Sequence, residues 1–270
     1  SREGDGLPTR VLQADRDAVL LDLKDIGIRF GGLKALEGID MVLKRGEFVG
    51  LIGPNGAGKT TLFSIISGLQ RQTSGSVTLF GEALPSSHSI VRRGMARTFQ
   101  HVQLVPELTV IENVALGAYW RTESGFVRGL LALDAAENRQ VLASAQAALE
   151  RVGLGAEADL LAASLPLGKQ RIVEIARALV ADPQLLLLDE PAAGLRFSEK
   201  LTLVRILRQL QAEHVTILLV EHDMELVMGC VERLVVLDRG RIIAQGSPAD
   251  VQANPAVIAA YLGGSRDKAA

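Results

Sequence analysis

Short apolar runs alternate with stretches of helical spacing along most of the chain. The segments Gln184–Asp189 and Val215–Val220 are nearly continuous apolar runs, which indicate strands buried on both faces of a sheet. From Lys59 the apolar residues instead recur at the spacing of an amphipathic helix. Strands are predicted at Val19–Leu23, Gly27–Phe30, Ile39–Leu43, Glu47–Ile52, Ser76–Phe80, Gln184–Asp189, Val215–Val220, Arg233–Asp238 and Ile242–Gln245. Helices are predicted from Lys59 through Leu69, from Thr109, and at Leu133–Val152, Gly168–Ala181 and Ser198–Glu213.

This alternation predicts an α/β fold with a mostly parallel core sheet covered on both faces, and an antiparallel β part. Residues 100–168 contain no clear strand, which predicts an inserted all-helical subdomain. We therefore expect a polar lead or linker over residues 1–17 and a core in two parts over 18–99 and 169–246. The helical subdomain takes up 100–168, and a C-terminal helical tail follows over 247–270.

The composition is that of a folded protein without a nucleic-acid partner. Apolar residues make up 48% and charged residues 22% of the 270 residues, close to globular averages, which excludes extended disorder. The net charge of −2 lacks the basic excess of a nucleic-acid coat. The single cysteine, Cys230, cannot form an internal disulfide, and no apolar run is long enough to span a membrane. We expect a soluble intracellular protein without a signal peptide.

The segment Gly53–Thr60, with the sequence GPNGAGKT, matches the phosphate-loop pattern G-x-x-x-x-G-K-[ST]. Its glycines let successive backbone N–H groups turn inward onto a phosphate. Lys59 places a cation between the β- and γ-phosphates, and the hydroxyl of Thr60 is a ligand for Mg²⁺. A predicted strand precedes the loop and a predicted helix follows it, which is the context that this motif requires. The pattern predicts a nucleotide site.

A carboxylate pair follows the apolar run at residues 185–188. Asp189 ends a predicted strand, and a nucleotide site of this type needs a carboxylate there to hold the water shell of the metal. Glu190 comes directly after it, where a general base could polarise an attacking water. An Asp at the end of an apolar strand is common, so the pair is informative only together with the phosphate loop.

On these motifs the sequence resembles the ATP-binding cassette (ABC) family, from about Val19 to Gly263. Arg97–Gln100 resembles the glutamine loop, Leu165–Arg171 the signature motif, Ala193–Arg196 the D-loop, Glu221–Asp223 the switch-histidine segment, and Phe30 the aromatic residue that stacks on adenine. The resemblance implies a P-loop NTPase (RecA-like) fold in which Glu190, His222 and Gln100 are catalytic. It implies a metal site at Thr60, Gln100 and Asp189. Implied nucleotide contacts are Phe30, Gly53, Pro54, Asn55, Gly56, Ala57, Gly58, Lys59, Thr60, Thr61, Leu165, Gly168 and Lys169.

Several segments are similar to one subgroup, which takes up branched-chain or other hydrophobic amino acids: RTFQHV from Arg97, LTVIENV from Leu108, EPAAGL from Glu190, EHDM from Glu221 and PAVIAAYLG from Pro255. That resemblance implies ATP hydrolysis with Mg²⁺ to drive import of these amino acids; relatives import urea or short amides. The implied partners are integral membrane permease subunits, a second ATP-binding subunit in a head-to-tail dimer and, indirectly, a periplasmic solute-binding protein. The implied location is peripheral, at the cytoplasmic face of the inner membrane.

The chain departs from the family pattern at two positions. Pro166 stands where the signature motif usually has serine, and Arg196 stands where the D-loop usually has Asp or Asn. Proline suits the first turn of a helix, where no internal N–H bond is needed, so we expect the geometry to survive with one hydroxyl donor lost. We expect the charge of Lys169, where glutamine is common, to compensate, and activity to be retained.

Three competing interpretations explain less of the sequence. An inactive nucleotide-binding regulator would not need Glu190, His222 and Gln100. A DNA-repair or chromosome-structure ATPase carries long heptad arms between its nucleotide motifs, and this sequence has no sustained heptads. A dinucleotide dehydrogenase requires G-x-G-x-x-G after its first strand and leaves Lys59 unexplained. The solute, the choice between an identical and a paralogous partner, and a fusion to an upstream permease stay open.

Overall fold

The computed structural model describes residues 18–84, 90, 93–98, 102–119 and 135–263. The strands are β1 Val19–Phe30, β2 Leu33–Lys44, β3 Phe48–Ile52, β4 Ser74–Leu79, β5 Glu82–Ala83, β6 Met95–Arg97, β7 Leu185–Asp189, β8 Thr216–Val220, β9 Arg233–Asp238 and β10 Arg241–Gly246. The helices are α1 Lys59–Ile66, α2 Val110–Tyr119, α3 Ala135–Arg151, α4 Leu167–Leu179, α5 Phe197–Ala212, α6 Met224–Cys230, α7 Pro248–Ala253 and α8 Pro255–Gly263. None of the helices described is both long and apolar enough to cross a membrane.

The larger sheet has the strand order β10-β9-β3-β8-β7-β6. Strands β9, β3, β8, β7 and β6 run parallel, and β10 pairs antiparallel with β9. Every residue of β3, β7 and β8 is buried, as their apolar runs predict. Because the three strands are parallel neighbours, their carboxyl ends meet at one edge of the sheet.

The smaller sheet is antiparallel, with the strand order β2-β1-β4-β5. The predicted strands Val19–Leu23 and Gly27–Phe30 are wrong as separate elements, because β1 continues through both. The polar residues between them form an irregularity in the pairing with β2 around Asp25, which has φ +49°, and not a turn. A tight turn then follows Phe30 and leads into β2.

Each face of the larger sheet is covered by its own apolar cluster. Leu186 and Leu188 face a cluster that includes residues of α2 to α6, whereas Leu185 and Leu187 face a cluster with β1, β2 and α1. Burial of a large aliphatic side chain stabilises a fold by about 1.5–3 kcal/mol, so the sheet is held firmly from both sides. The predicted double covering is confirmed, but one of the two layers is largely antiparallel sheet.

Helices α2, α3 and α4 pack against one another. Helix α2 begins close to the predicted start at Thr109, with a capping box: the Thr109 N–H donates to Glu112 Oε2 at 2.7 Å, and the Glu112 N–H donates to Thr109 Oγ1 at 3.3 Å. Helix α2 lies very close to α4 at Gly117, where a Cβ would lie 2.0 Å from the carbonyl oxygen of Arg177. The absence of a side chain at this position therefore sets the spacing of the two helices.

Some elements differ from the sequence prediction for local reasons. Helix α1 ends at Ile66 and does not reach Leu69, because Gly68 takes a left-handed conformation at φ +67° that closes the helix. Strands β5 and β6 have two and three residues, and helix α6 has seven, which is too short for a periodic pattern to show. The predicted polar lead lies outside the described residues, and the division into domains stays a prediction.

Candidate active site

The predicted phosphate loop and carboxylates lie at the edge where β3, β7 and β8 end. Strand β3 leads into the loop at Gly53, β7 ends in Asp189, and β8 leads into Glu221 and His222. Sites in open parallel sheets are found at this carboxyl edge. The strand order β3-β8-β7 places the segment of His222 between the phosphate loop and the carboxylate pair.

The phosphate loop has a backbone that requires glycine. Gly53 takes φ +152°, and a Cβ there would lie 2.1 Å from the carbonyl oxygen of Leu237. Gly58, which precedes α1, is left-handed at φ +104°. A side chain at either position would be strained, so the spacing of the motif follows from main-chain geometry as well as from phosphate binding.

Lys59 is folded back onto the loop that it follows. Its side chain is 6% exposed, and its ammonium donates to the carbonyl oxygens of Gly53 at 2.8 Å and Pro54 at 3.0 Å. Burial lowers the pKa of Lys59, and the charge of Glu190 opposes that shift. The loop therefore presents a partly desolvated cation at the start of α1, where helix N–H groups also favour an anion. Thr60 is exposed beside it, and Thr61 is half-buried.

Asp189 is tied to the rest of the fold by Arg97. The Arg97 guanidinium pairs with Asp189 Oδ2 at 3.0 Å and donates to Ser67 Oγ at 2.8 Å. It also lies 4.7 Å from the centre of the Phe63 ring, within cation–π distance. Burial raises the pKa of Asp189, and the charge of Arg97 opposes that shift. One guanidinium thus joins β6, β7 and the end of α1.

Glu190 and His222 are in direct contact. Glu190 Oε1 lies 2.7 Å from His222 Nε2, and the Glu190 N–H donates to the carbonyl oxygen of Val220 at 2.9 Å. Glu190 takes φ +47°, a left-handed conformation that few non-glycine residues adopt. The turn after β7 therefore directs this carboxylate toward the loop after β8. A histidine that fixes a carboxylate suits it for work as a general base.

Phe30 ends β1 with its ring 49% exposed. The following residue, Gly31, has φ +56° and turns the chain into β2. The exposed side chain is accessible for the stacking contact that the family resemblance implies. An aromatic face of this kind provides a stacking surface for a base.

The predicted signature segment leads into α4. Pro166 precedes the helix in an extended conformation, and the Gln170 N–H donates to its carbonyl oxygen at 3.0 Å. Leu165 and Gly168 are buried, and a Cβ on Gly168 would lie 2.4 Å from Glu199 Oε1. Proline is compatible with this helix start, as the sequence predicted.

Lys169 and Arg196 each contact a glutamate. The Lys169 ammonium pairs with the carboxylate of Glu157, a partner that the sequence did not suggest. Arg196 precedes α5, and its N–H donates to Glu199 Oε2 at 2.8 Å. Gln100 lies outside the described residues, so its predicted role stays a prediction.

Sequence reasoning missed the supporting roles of Arg97 and Glu221. Arg97 stands three residues before Gln100 and pairs with a residue 92 positions away. Glu221 is buried, and its carboxylate accepts from the N–H of Ala192 at 2.7 Å. In the sequence, each of these residues is only a charged residue next to apolar ones. That pattern does not identify the residue with which it pairs in the fold.

Comparison with known proteins agrees with the geometry. Residues 36–193 match the ABC transporter family, and residues 241–267 match the family described as branched-chain amino acid ATP-binding cassette transporter. The chain is 45% identical over 250 residues to the high-affinity branched-chain amino acid transport ATP-binding protein LivG of Salmonella typhimurium. That alignment covers 90% of this chain and 98% of the relative.

Solved structures share the fold. A crystal structure of the ADP conformation of an ATP-binding cassette of an ABC transporter is 30% identical, with a TM-score of 0.82, over 91% of this chain and 99% of the other. A dimeric cassette in a post-hydrolysis state, bound to ADP and phosphate, is 27% identical, with a TM-score of 0.70, over 85% and 99%. The expected P-loop NTPase fold is confirmed. The chain belongs to the family of ABC transporter ATP-binding cassettes and is an ATPase coupled to transport.

Proposed function

We propose that the chain hydrolyses ATP to drive the import of branched-chain or other hydrophobic amino acids. The observation that carries the catalytic part is the 2.7 Å contact between Glu190 Oε1 and His222 Nε2, at the sheet edge of the phosphate loop. The match of residues 241–267 to the branched-chain amino acid cassette family supports the solute class. The 45% identity to LivG, named for transport of these amino acids, supports it as well.

The adenine and the phosphates are proposed to bind to different parts of the site. The exposed ring of Phe30 stacks on the adenine, as aromatic side chains do on bases. The backbone N–H groups of the phosphate loop and the Lys59 ammonium bind the phosphate oxygens. The contacts in this chain are Phe30, Gly53, Pro54, Asn55, Gly56, Ala57, Gly58, Lys59, Thr60 and Thr61.

The donor set beside the loop fits Mg²⁺. Thr60 is exposed at the start of α1, and the Asp189 carboxylate ends β7; both are oxygen donors of the kind that Mg²⁺ prefers. Gln100 is the proposed third contributor. Mg²⁺ bound to the triphosphate neutralises charge on the phosphoryl oxygens during transfer.

Hydrolysis is proposed to use Glu190 as the base and His222 as its orienting partner. Glu190 takes a proton from the attacking water, while the water oxygen bonds to the γ-phosphorus and the bond to the β–γ bridging oxygen breaks. ADP and phosphate result. His222 Nε2 holds Glu190 Oε1 in place, and such positioning supplies much of the catalysis in phosphoryl transfer.

The signature segment is proposed to serve the nucleotide of a second ATP-binding subunit. The start of α4 favours an anion, and Leu165, Gly168 and Lys169 lie there. The similarity to a dimeric cassette bound to ADP and phosphate supports a head-to-tail pair. Pro166 contributes no hydroxyl, and Lys169 reaches a phosphate only if its pair with Glu157 opens. We therefore expect a weakened contact with retained activity.

The other partners follow from the transport role. We propose that integral membrane permease subunits bind near the glutamine loop and the helices of residues 100–168. A periplasmic solute-binding protein delivers the amino acid to the permeases and acts on this chain only through them. The proposed location is the cytoplasmic face of the inner membrane.

The test is transport by the assembled complex. Liposomes holding the permeases, both ATP-binding subunits and internal MgATP, with the solute-binding protein supplied outside, are expected to take up labelled leucine with release of phosphate. Glu190→Gln is expected to abolish turnover while leaving an ATP-dependent dimer, and Lys59→Ala to lose ATP binding. Uptake of urea without leucine would contradict the solute class. Absence of phosphate release from the wild-type complex would contradict the ATPase mechanism.

A further inference from the structure

We propose that Glu221 is a positioning residue that ties the loop after Glu190 to the loop that carries His222. The inference rests on the proposed function, because it explains how the Glu190–His222 pair is held in register. It adds a residue that touches neither the nucleotide nor the water in the proposed mechanism. Glu221 takes this role through two side-chain hydrogen bonds and not through its place next to His222 in the sequence.

Glu221 is 4% exposed, and its carboxylate accepts hydrogen bonds from both loops. Oε1 accepts from the N–H of Ala192 at 2.7 Å, and Oε2 accepts from the N–H of His222 at 3.1 Å. Ala192 is two residues after Glu190. One side chain therefore joins the backbones that present the two members of the catalytic pair.

A carboxylate is the group that this geometry requires. Burial raises the pKa of Glu221, while hydrogen bonds from the backbone N–H groups of Ala192, His222 and Asp223 oppose that shift. A carboxylate presents acceptors at both oxygens, whereas glutamine presents one oxygen and one NH₂ group. In Glu221→Gln one backbone N–H would face another donor, and a buried polar group would lose its partner.

A simpler interpretation is that Glu221 only stabilises the turn after β8. The loops are also joined by the main-chain bond from the Glu190 N–H to the Val220 carbonyl oxygen, at 2.9 Å. That bond fixes the start of the turn after β7. The Glu221 bond to Ala192 fixes the turn two residues later, so the two bonds bracket the segment from which the Glu190 side chain projects. A residue that positions Glu190 must restrain the chain on both sides of it. A residue that only stabilises the turn after β8 needs no bond to Ala192.

The neighbouring Asp223 gives a matched comparison. Asp223 also lies next to His222, and its carboxylate pairs with Lys200, which lies in α5 beyond the loop that follows Glu190. Both side chains of that pair are partly exposed, and exposed pairs contribute little. We therefore expect Lys200→Met to leave turnover within about twofold of wild type, because it removes an exposed side-chain link and leaves both hydrogen bonds of the Glu221 carboxylate in place.

The experiment compares ATPase rates of the assembled transporter for wild type, Glu221→Gln, His222→Ala, the double variant and Lys200→Met. Glu221→Gln is expected to lower kcat about tenfold, the effect of losing one hydrogen bond to a charged group. KM for ATP is expected to stay unchanged, since the phosphate loop is untouched. In the His222→Ala background Glu221→Gln is expected to add nothing further, because its effect passes through the histidine.

Two kinetic outcomes would overturn the proposal. If Glu221→Gln has the kcat of wild type, Glu221 has no positioning role. If Glu221→Gln lowers kcat by the same factor with and without His222, its effect is a general structural one. Amide hydrogen exchange on the wild-type chain gives a separate decision if the variant does not fold or the complex shows no ATPase activity. Protected N–H groups at Ala192 and His222, released together in Glu221→Gln, support the link. Rapid exchange of either in wild type overturns it, whatever becomes of the proposed function.

Discussion

Several residues of the candidate site adopt a backbone conformation or a buried environment that lowers the stability of the fold. Glu190 takes a left-handed backbone conformation, which costs a non-glycine residue about 1–3 kcal/mol. Burial lowers the pKa of Lys59 and raises the pKa of Asp189, so each loses water that would favour its charge. These costs coincide with the phosphate loop and the carboxylate pair, where fixed charges assist catalysis.

The exposed position of Phe30 permits a test of base stacking with little loss of stability. Phe30→Ala is expected to weaken ATP binding about tenfold, because stacking of a base on an aromatic ring contributes about 1–3 kcal/mol. The midpoint of thermal unfolding should fall only slightly, since Phe30 is 49% exposed and little of its apolar area is lost from the core. Leu33→Ala, across the same turn and 69% exposed, is the control. Calorimetric titration that found equal ATP affinity for both variants would remove Phe30 from the site.

At the scale of elements, helix and strand ends carry most of the chemistry. Helix α1 begins at Lys59, β7 ends at Asp189, and α6 begins directly after Asp223. The Asp223 carboxylate accepts from the N–H of Leu226 at 3.0 Å and so caps α6. This cap fixes the start of the helix that follows His222.

Replacement of Asp223 by Ala is expected to show a pH-dependent loss of stability. The hydrogen bond from Lys200, and then that from the Leu226 N–H, lower the pKa of Asp223 from its ordinary value of 3.8. The ionised carboxylate therefore stabilises the fold above that value, and its contribution disappears as the pH falls through the lowered pKa. Asp223→Ala should cost about 1 kcal/mol at pH 7 and progressively less below about pH 4. Urea unfolding across this range is the measurement, and a difference independent of pH would contradict the assignment.

At the scale of the whole molecule, two sheets and a group of helices pack together through two apolar clusters. The larger sheet is covered on one face by helices and on the other by the smaller sheet with α1. Helices α2 and α4 meet at Gly117, without room for a side chain. Helix α4 starts at the signature segment, so the spacing of these helices also sets where that segment lies.

Gly117→Ala is expected to force these helices apart. The added methyl would lie 2.0 Å from the Arg177 carbonyl oxygen, and overpacking of this kind costs about 1–3 kcal/mol. Gly229→Ala in α6 is the control, because a Cβ there meets nothing within 4 Å. That control should be neutral or gain up to about 1 kcal/mol from helix propensity. Equal unfolding midpoints for the two variants would show that the approach at Gly117 is not tight.

The sequence predicted what depends on neighbouring residues and missed what depends on strand order. Apolar runs located β3, β7 and β8, and the phosphate loop and carboxylate pair followed from residue types at fixed spacing. The bond of Arg97 to Asp189 spans 92 positions, and that of Glu221 to Ala192 spans 29. Both form only because parallel strands place distant segments side by side, which no local pattern encodes. The continuity of β1 was missed because its two polar residues, Lys24 and Asp25, look like a turn in the sequence. Only the pairing with β2 on both sides of them shows that the strand continues.

The short strand β6 has a mechanical consequence. It contributes three residues at the margin of the larger sheet, paired with β7, so few ladder bonds resist its sliding. The segment after Arg97 is the one proposed to contact the membrane subunits. A force on that segment would thus be transmitted to the Asp189 carboxylate through the Arg97 guanidinium, while β3 and β8 stayed hydrogen-bonded to each other. In the proposed mechanism, motion of the membrane subunits would in this way reach both the proposed metal ligand Asp189 and, through Ser67, the end of the helix that begins at the phosphate loop.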